Sequence, residues 1–157
     1  MYYETIGVTH TAHNDIPWVP WEIGENFFLK LFRVDAAHGV MMVMLKVPGG
    51  AKLGRHRHTG YVQLYTVQGA WRYLEHSWTA RAGDVVYETA DSVHSFETEP
   101  GEDLQVFVVL NGTLQFLDDS DQVIHVESWR TMLERQRKYC EANGLKCPDV
   151  SSFVESN

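Results

Sequence analysis

The side chains best suited to chemistry in this sequence are two histidines separated by one residue, His56 and His58, and a third histidine, His94. Side chains alternate along a β-strand, so His56 and His58 point to one face, roughly 7 Å apart. A neighbouring strand that carries His94 would complete a set of three imidazoles. Three protein ligands leave coordination positions open, as in catalytic metal sites. We therefore predict a metal centre at these histidines, although imidazole suits iron, zinc, copper and nickel alike.

The composition limits the partners of this chain. Its 157 residues correspond to one domain, and its net charge of −8 argues against a nucleic acid or an anionic membrane surface as partner. No basic region followed by an apolar run marks a secretory signal, and the apolar stretch Val40–Val47 is too short to span a bilayer. We expect a cytoplasmic protein in which Cys140 and Cys147 are free thiols, with one local disulfide as the alternative.

Short runs rich in Val, Tyr, Phe and Leu, separated by turn residues, predict a barrel or sandwich. The predicted strands are Phe27–Val34, Val40–Val47, Tyr61–Gln68, Trp71–His76, Val85–Thr89, Ser95–Thr98, Leu104–Leu110, Leu114–Leu117 and Val123–Val126. Between two of these runs, Asn111-Gly112 predicts a tight hairpin.

The two ends of the chain are predicted to lie outside this barrel. Pro17 and its neighbours exclude a regular helix near the N-terminus, where Trp18 and Trp21 provide apolar anchors. Near the C-terminus, Ser128 is a helix N-cap and Gly144 a helix end. The predicted organisation is a single domain with an arm over 1–25, a β-barrel over 26–127, a helix over 128–144 and a tail over 145–157.

The spacing of glycines around the histidines resembles the two sequence motifs of the cupin superfamily. The matching residues are Gly50, His56, His58 and Gly69 for the first motif, and Gly83, Asp84 and His94 for the second. The resemblance implies an all-β cupin double-stranded β-helix, or jelly-roll barrel, with an N-terminal arm and one C-terminal helix. It also implies that the three histidines are metal ligands.

One departure from the cupin pattern points to a narrower subgroup. Most metal-binding cupins place a glutamate four to five positions after the histidine pair, where this chain has Tyr61-Val62-Gln63. Residues 16–35, 69–78 and 83–94 resemble the three-histidine enzymes that cleave acetylacetone or 2,4'-dihydroxyacetophenone with dioxygen. This resemblance implies Fe(II), with Zn, Ni or Mn as substitutes in purified protein, and a homodimer or homotetramer. Of the two ketones, the sequence favours 2,4'-dihydroxyacetophenone, which would yield 4-hydroxybenzoate and formate.

Further candidate site residues are those that an even spacing along a strand would place on the same face as a histidine. We call this shared spacing strand parity. Glu88 shares the parity of His94 and is a candidate to orient a histidine or to accept a substrate proton. Arg72 is a candidate to balance Glu88 or to bind a substrate oxygen. The parity of the histidines also predicts a substrate pocket lined by Tyr61, Gln63, Tyr65 and Phe96.

Two other functions are compatible with the same residues. Anti-sigma factors contain cupin modules, so the chain is alternatively a non-catalytic metal-binding sensor, which would hold zinc tightly and consume no oxygen. Three imidazoles also suit a zinc-bound hydroxide, which would make the protein a zinc-dependent hydrolase or isomerase that turns over without oxygen.

Overall fold

The computed structural model describes residues 7–152, over which the chain forms twelve β-strands, one 3₁₀ turn (His13–Asp15) and one α-helix. The elements are β1 (Val19–Pro20), β2 (Phe28–Asp35), β3 (Val40–Val47), β4 (Lys52–His58), β5 (Val62–Gln68), β6 (Ala70–Tyr73), β7 (Ala80–Arg81), β8 (Val85–Glu88), β9 (Val93–Thr98), β10 (Leu104–Asn111), β11 (Leu114–Leu117), β12 (Val123–Glu127) and α1 (Trp129–Ala142).

Within residues 7–152 the strands form two six-stranded antiparallel sheets that enclose an apolar core. The first sheet has the order β1-β2-β3-β10-β5-β8, and the second has the order β12-β11-β4-β9-β6-β7. In β10 buried and half-buried residues alternate without a break, because one face of this central strand packs into the barrel and the other faces outward. The predicted all-β jelly-roll barrel with one C-terminal helix is confirmed.

The C-terminal helix begins where its cap predicts. The Ser128 hydroxyl accepts a hydrogen bond from the Thr131 backbone N–H, while the Thr131 hydroxyl accepts one from the Ser128 N–H. After the helix, Gly144 has a φ of 63°, the left-handed conformation that ends many helices. Gln136 ties the helix to the barrel, since its side-chain oxygen accepts from the Leu31 N–H at 3.1 Å.

The arm packs onto the barrel of its own chain. Trp21 is 3% exposed, and its indole N–H donates to the Glu127 carboxylate at 3.2 Å. The Lys30 ammonium donates to the His13 carbonyl at 2.9 Å and lies 5.0 Å from the centre of a Trp18 ring. Predictions for residues 1–6 of the arm and 153–157 of the tail fall outside the described part of the chain.

The predicted hairpin at Asn111-Gly112 was wrong. The chain does turn there, with a φ of 81° at Gly112, but β10 and β11 belong to different sheets and do not pair. The turn carries the chain across the edge of the barrel. It packs against the turn at Gly60, where an added Cβ would lie 2.3 Å from the Asn111 carbonyl oxygen. Only a glycine allows this close approach.

The expectation of two free thiols was also wrong, because Cys140 at the end of α1 is joined to Cys147 by a disulfide. The loop closed by the bridge holds the segment after the helix against the helix. Residues 7–152 include no helix with the length and hydropathy needed to cross a membrane.

Candidate metal centre

The three histidines predicted as ligands lie together on the inner face of the second sheet. β4 and β9 pair antiparallel, and His56 lies directly opposite His94 in the register. His58, two residues further along β4, points to the same side. The candidate ligand atoms of His56, His58 and His94 all lie within 4.8 Å of one another, and each residue is at most 5% exposed.

The histidine nitrogens are electronically suited to a divalent cation. The Nδ1 of His56 lies 2.8 Å from the Gly54 carbonyl, which can only accept, so Nδ1 carries the proton and Nε2 keeps its lone pair. The Nε2 of His94 is buried without a hydrogen bond. Burial, with a smaller contribution from neighbouring imidazoles, lowers the pKa of His58 to about 3 and that of His94 to about 2. Burial also lowers the pKa of His56. The site therefore offers neutral imidazoles at neutral pH, which fits a metal ion.

Glu88 faces these histidines from the opposite sheet. It ends β8, the edge strand of the first sheet, and is 5% exposed. Its Oε2 lies 3.2 Å from the Nε2 of His58 and 3.4 Å from the Nε2 of His94, and it has no hydrogen bond. Burial raises the pKa of Glu88 to about 7, against the opposing effect of a hydrogen bond from Tyr73.

Tyr73 is a site residue that the sequence reasoning missed. Its hydroxyl donates to the Oε1 of Glu88, and its ring stacks on His94 with ring centres 3.7 Å apart. Burial, followed by the nearby Glu88 carboxylate, raises the pKa of Tyr73 well above its usual value, so its hydroxyl is a donor. The alternation of Trp71 and Tyr73 about Arg72 was the available signal, since both aromatics are buried.

Arg72 and three of the four predicted pocket residues lie on the outside of the barrel. The guanidinium of Arg72 donates through Nε to Glu97 at 2.7 Å on the outer face, so its predicted contact with Glu88 or substrate was wrong. Tyr61, Gln63 and Tyr65 are exposed, and this prediction was wrong as well.

The parity of β4 does not carry into β5, because the turn at Thr59-Gly60 moves the chain from the second sheet to the first. Val62 and Leu64 face inward instead, and both line the internal cavity. Phe96, two residues after His94, is 8% exposed and lines the same cavity as predicted.

His56 and His58 form part of the wall of this cavity, whose volume is about 70 Å³. Its other walls are almost entirely apolar, and they include Trp21 from the arm and Met132 from the helix. A drug-sized ligand occupies a pocket of about 300–1,000 Å³. The space beside the metal centre is therefore small and apolar, and it suits a ligand well below drug size.

Residues 7–115 match the family model described as the ChrR cupin-like domain. An RmlC-like cupin protein from Ralstonia eutropha JMP134 is 42% identical, with a TM-score of 0.93 over 98% of this chain and 99% of that one. A protein of unknown function with a cupin-like fold from the same strain is 21% identical, with a TM-score of 0.80 over 96% of this chain and 99% of that one.

An acetylacetone dioxygenase from Acinetobacter johnsonii shares the fold at 16% identity, with a TM-score of 0.73 over 85% of this chain and 92% of that one. No curated protein matches this chain.

Proposed function

Because this chain belongs to the family of ChrR cupin-like domains, we propose that it is a non-haem iron(II)-dependent dioxygenase that cleaves a C–C bond of a β-diketone or hydroxyketone. The observation that carries the proposal is the set of three neutral, buried imidazoles, two of which line an apolar cavity. The fold shared with an acetylacetone dioxygenase supports the same reaction class.

The residues of the site have separable tasks in this reaction. A ferrous ion held at this site would supply Lewis-acid and one-electron chemistry for a chelating ketone and dioxygen. His56, His58 and His94 hold the ion through nitrogens that need no deprotonation at neutral pH. Phe96 and the other apolar walls exclude water, which protects reactive species from hydrolysis and strengthens electrostatic interactions in the site.

The cavity favours the smaller of the two candidate substrates. A volume of about 70 Å³ suits a short aliphatic β-diketone such as acetylacetone better than 2,4'-dihydroxyacetophenone, which carries a phenol ring. This reverses the preference that the sequence resemblance indicates. The aromatic ketone would enter only if the walls, which include Trp21 of the arm, moved apart.

Oxygen consumption by anaerobically iron-loaded protein tests the proposal. We expect one equivalent of oxygen to be taken up per acetylacetone cleaved, and slower uptake with 2,4'-dihydroxyacetophenone. His94→Ala should lose both bound iron and uptake, whereas His38→Ala should retain both because His38 is exposed and pairs with Asp35. Stoichiometric iron binding without uptake on either ketone would contradict the dioxygenase reaction.

A metal-binding sensor module is the second candidate. The family model takes its name from ChrR, an anti-sigma factor, and the small cavity is compatible with a site that holds an ion without a substrate. This function predicts tightly bound zinc and no oxygen uptake. It also predicts that the exposed surface of the protein changes when the metal is removed. Turnover of a ketone by the iron form would exclude it.

Assembly and location belong to the same proposal. We propose a homodimer or homotetramer with no nucleic-acid partner. We also propose a cytoplasmic location, where the Cys140–Cys147 disulfide would be exposed to reduction. The resemblance to three-histidine cupins implies association, but Trp21 of the arm is buried in its own chain and offers no surface for it. The outer face of the first sheet offers a replacement, since Tyr65, Val85 and Tyr87 are 48%, 70% and 61% exposed. Sedimentation equilibrium would measure the number of subunits.

A further inference from the structure

We propose that Glu88 is a fourth ligand of the metal ion, an anionic one supplied from the opposite sheet, and that Tyr73 is the positioning residue that directs its carboxylate. Most metal-binding cupins take their carboxylate from a position shortly after the histidine pair. In this chain the nearest polar candidate there, Gln63, is exposed on the outer face and cannot reach the ion. The inference rests on the metal site of the proposed function and not on its reaction.

The distances around Glu88 are those of neighbouring ligand atoms in a coordination shell. Ligand atoms about 2.1 Å from an ion lie about 3.0 Å apart in octahedral geometry and about 3.4 Å apart in tetrahedral geometry. The Oε2 of Glu88 is 3.2 Å from the Nε2 of His58 and 3.4 Å from the Nε2 of His94. One ion can therefore contact these three atoms with normal bond lengths.

The surroundings of the Oε2 of Glu88 also favour a bound cation. Oε2 is buried and has no hydrogen-bond partner among the described residues, whereas buried polar atoms are almost always paired. An unpaired buried carboxylate is strongly unfavourable, and a metal ion at the histidine nitrogens would compensate its charge. The Nε2 of His94 beside it is also buried without a hydrogen bond, and the same metal ion would bind it.

Tyr73 fixes which oxygen is available. Its hydroxyl donates to Oε1, so the carboxylate presents Oε2 to the histidines as a single donor atom. The ring of Tyr73 also stacks on His94, so one buried side chain orients two of the ligands. If the ion takes six ligands, the three histidines and Glu88 would leave two positions for a chelating ketone.

Metal titrations of four proteins test this inference without any turnover assay. The proteins are the wild type, Glu88→Gln, Tyr73→Phe and, as matched control, Glu97→Gln, which changes a glutamate on the outer face of β9. The readouts are the Kd for Co(II) from calorimetry and the visible d–d spectrum of the Co(II) form, which reports coordination number.

We expect Glu88→Gln to weaken Co(II) binding by more than about 100-fold and to change the spectrum. Tyr73→Phe should weaken binding by about 10-fold and keep the wild-type spectrum, as expected for an outer-shell partner. Glu97→Gln should match the wild type. If Glu88→Gln does not fold, Glu88→Asp provides the test, since a retracted carboxylate should give weakened binding with an altered spectrum.

The inference is overturned if Glu88→Gln, or Glu88→Asp in its place, binds Co(II) within about threefold of the wild type with an unchanged spectrum. The dioxygenase reaction fails independently if the wild-type protein binds iron but consumes no oxygen, because the titration does not involve a substrate. A wild-type protein that binds no Co(II) or iron overturns both.

Discussion

The buried carboxylate of Glu127 is predicted to stabilise the barrel by about 3 kcal/mol. Glu127 is 0% exposed, and it accepts hydrogen bonds from Arg135 at 2.6 and 3.1 Å and from Trp21 at 3.2 Å. Burial alone would raise its pKa, but hydrogen bonds from Arg135, His125 and Thr131 outweigh burial and lower the pKa from 4.5 to about 2. At about 1.4 kcal/mol for each tenfold change, this lowering corresponds to about 3 kcal/mol.

Removal of one partner of a buried ion pair lowers the free energy of unfolding by about 3–5 kcal/mol, which agrees with the value obtained from the pKa. Glu127→Gln should therefore lower the free energy of unfolding at pH 7 by about 3 kcal/mol and the Tm by about 6–12 °C. Urea and thermal unfolding followed by circular dichroism measure both quantities. Glu134→Gln is the control, because its pair with Lys138 is exposed and contributes little.

The pH dependence of the free energy of unfolding gives a second test of the role of the Glu127 carboxylate. The folded-state pKa is lower than the unfolded one, so the stabilisation is complete above about pH 4.5 and is lost as the pH falls towards 2. The difference between wild type and Glu127→Gln should shrink over this range. A difference below about 1 kcal/mol at pH 7, or one that stays constant down to pH 2.5, would refute the reasoning.

Three further predictions test other parts of the structure. Reduction of the Cys140–Cys147 bridge should lower the free energy of unfolding by about 2 kcal/mol, as thermal unfolding with and without reductant would show, and an unchanged Tm would contradict a stabilising bridge. Leu64→Ala should lower the free energy of unfolding, measured in urea, by about 2–3 kcal/mol. It should also increase turnover of 2,4'-dihydroxyacetophenone relative to acetylacetone, and unchanged relative rates would mean that Leu64 does not limit the size of the cavity. Gln63→Ala should leave the Co(II) affinity within about twofold of wild type, and a larger loss in calorimetry would place Gln63 at the metal after all.

The sequence predicted the histidine cluster because its geometry is local. A period of two on β4 places His56 and His58 on one face whatever surrounds the strand. A neighbouring strand was predicted to carry His94, and the register places His94 on β9, directly opposite His56. The apolar runs similarly predicted most strands, since alternation of buried residues requires only one packed face.

The prediction of inward-facing residues from strand parity was wrong where the chain passes from one sheet to the other. At Thr59-Gly60 the path crosses from β4 to β5, so the alternation of β4 no longer indicates the inner face and Tyr61, Gln63 and Tyr65 lie outside. The same kind of crossing at Asn111-Gly112 was interpreted as a hairpin. Turn residues in the sequence indicate that the chain bends, but the sheet that receives the next strand is decided by packing across the whole barrel.

Crossing between sheets also explains why the role of Glu88 could not be derived from its distance along the chain to the histidines. His56, His58 and His94 belong to the second sheet, whereas Glu88 lies on the edge strand of the first. These groups meet only when the barrel closes. An ion bound by all four would link the two sheets, so that its binding free energy would add to the stability of the closed barrel. A carboxylate four to five positions after the histidine pair would come from β5, so it would also link the two sheets, but through a strand inside the first sheet and not through its edge strand β8. The position of the carboxylate therefore determines whether metal binding and barrel closure are coupled through β8.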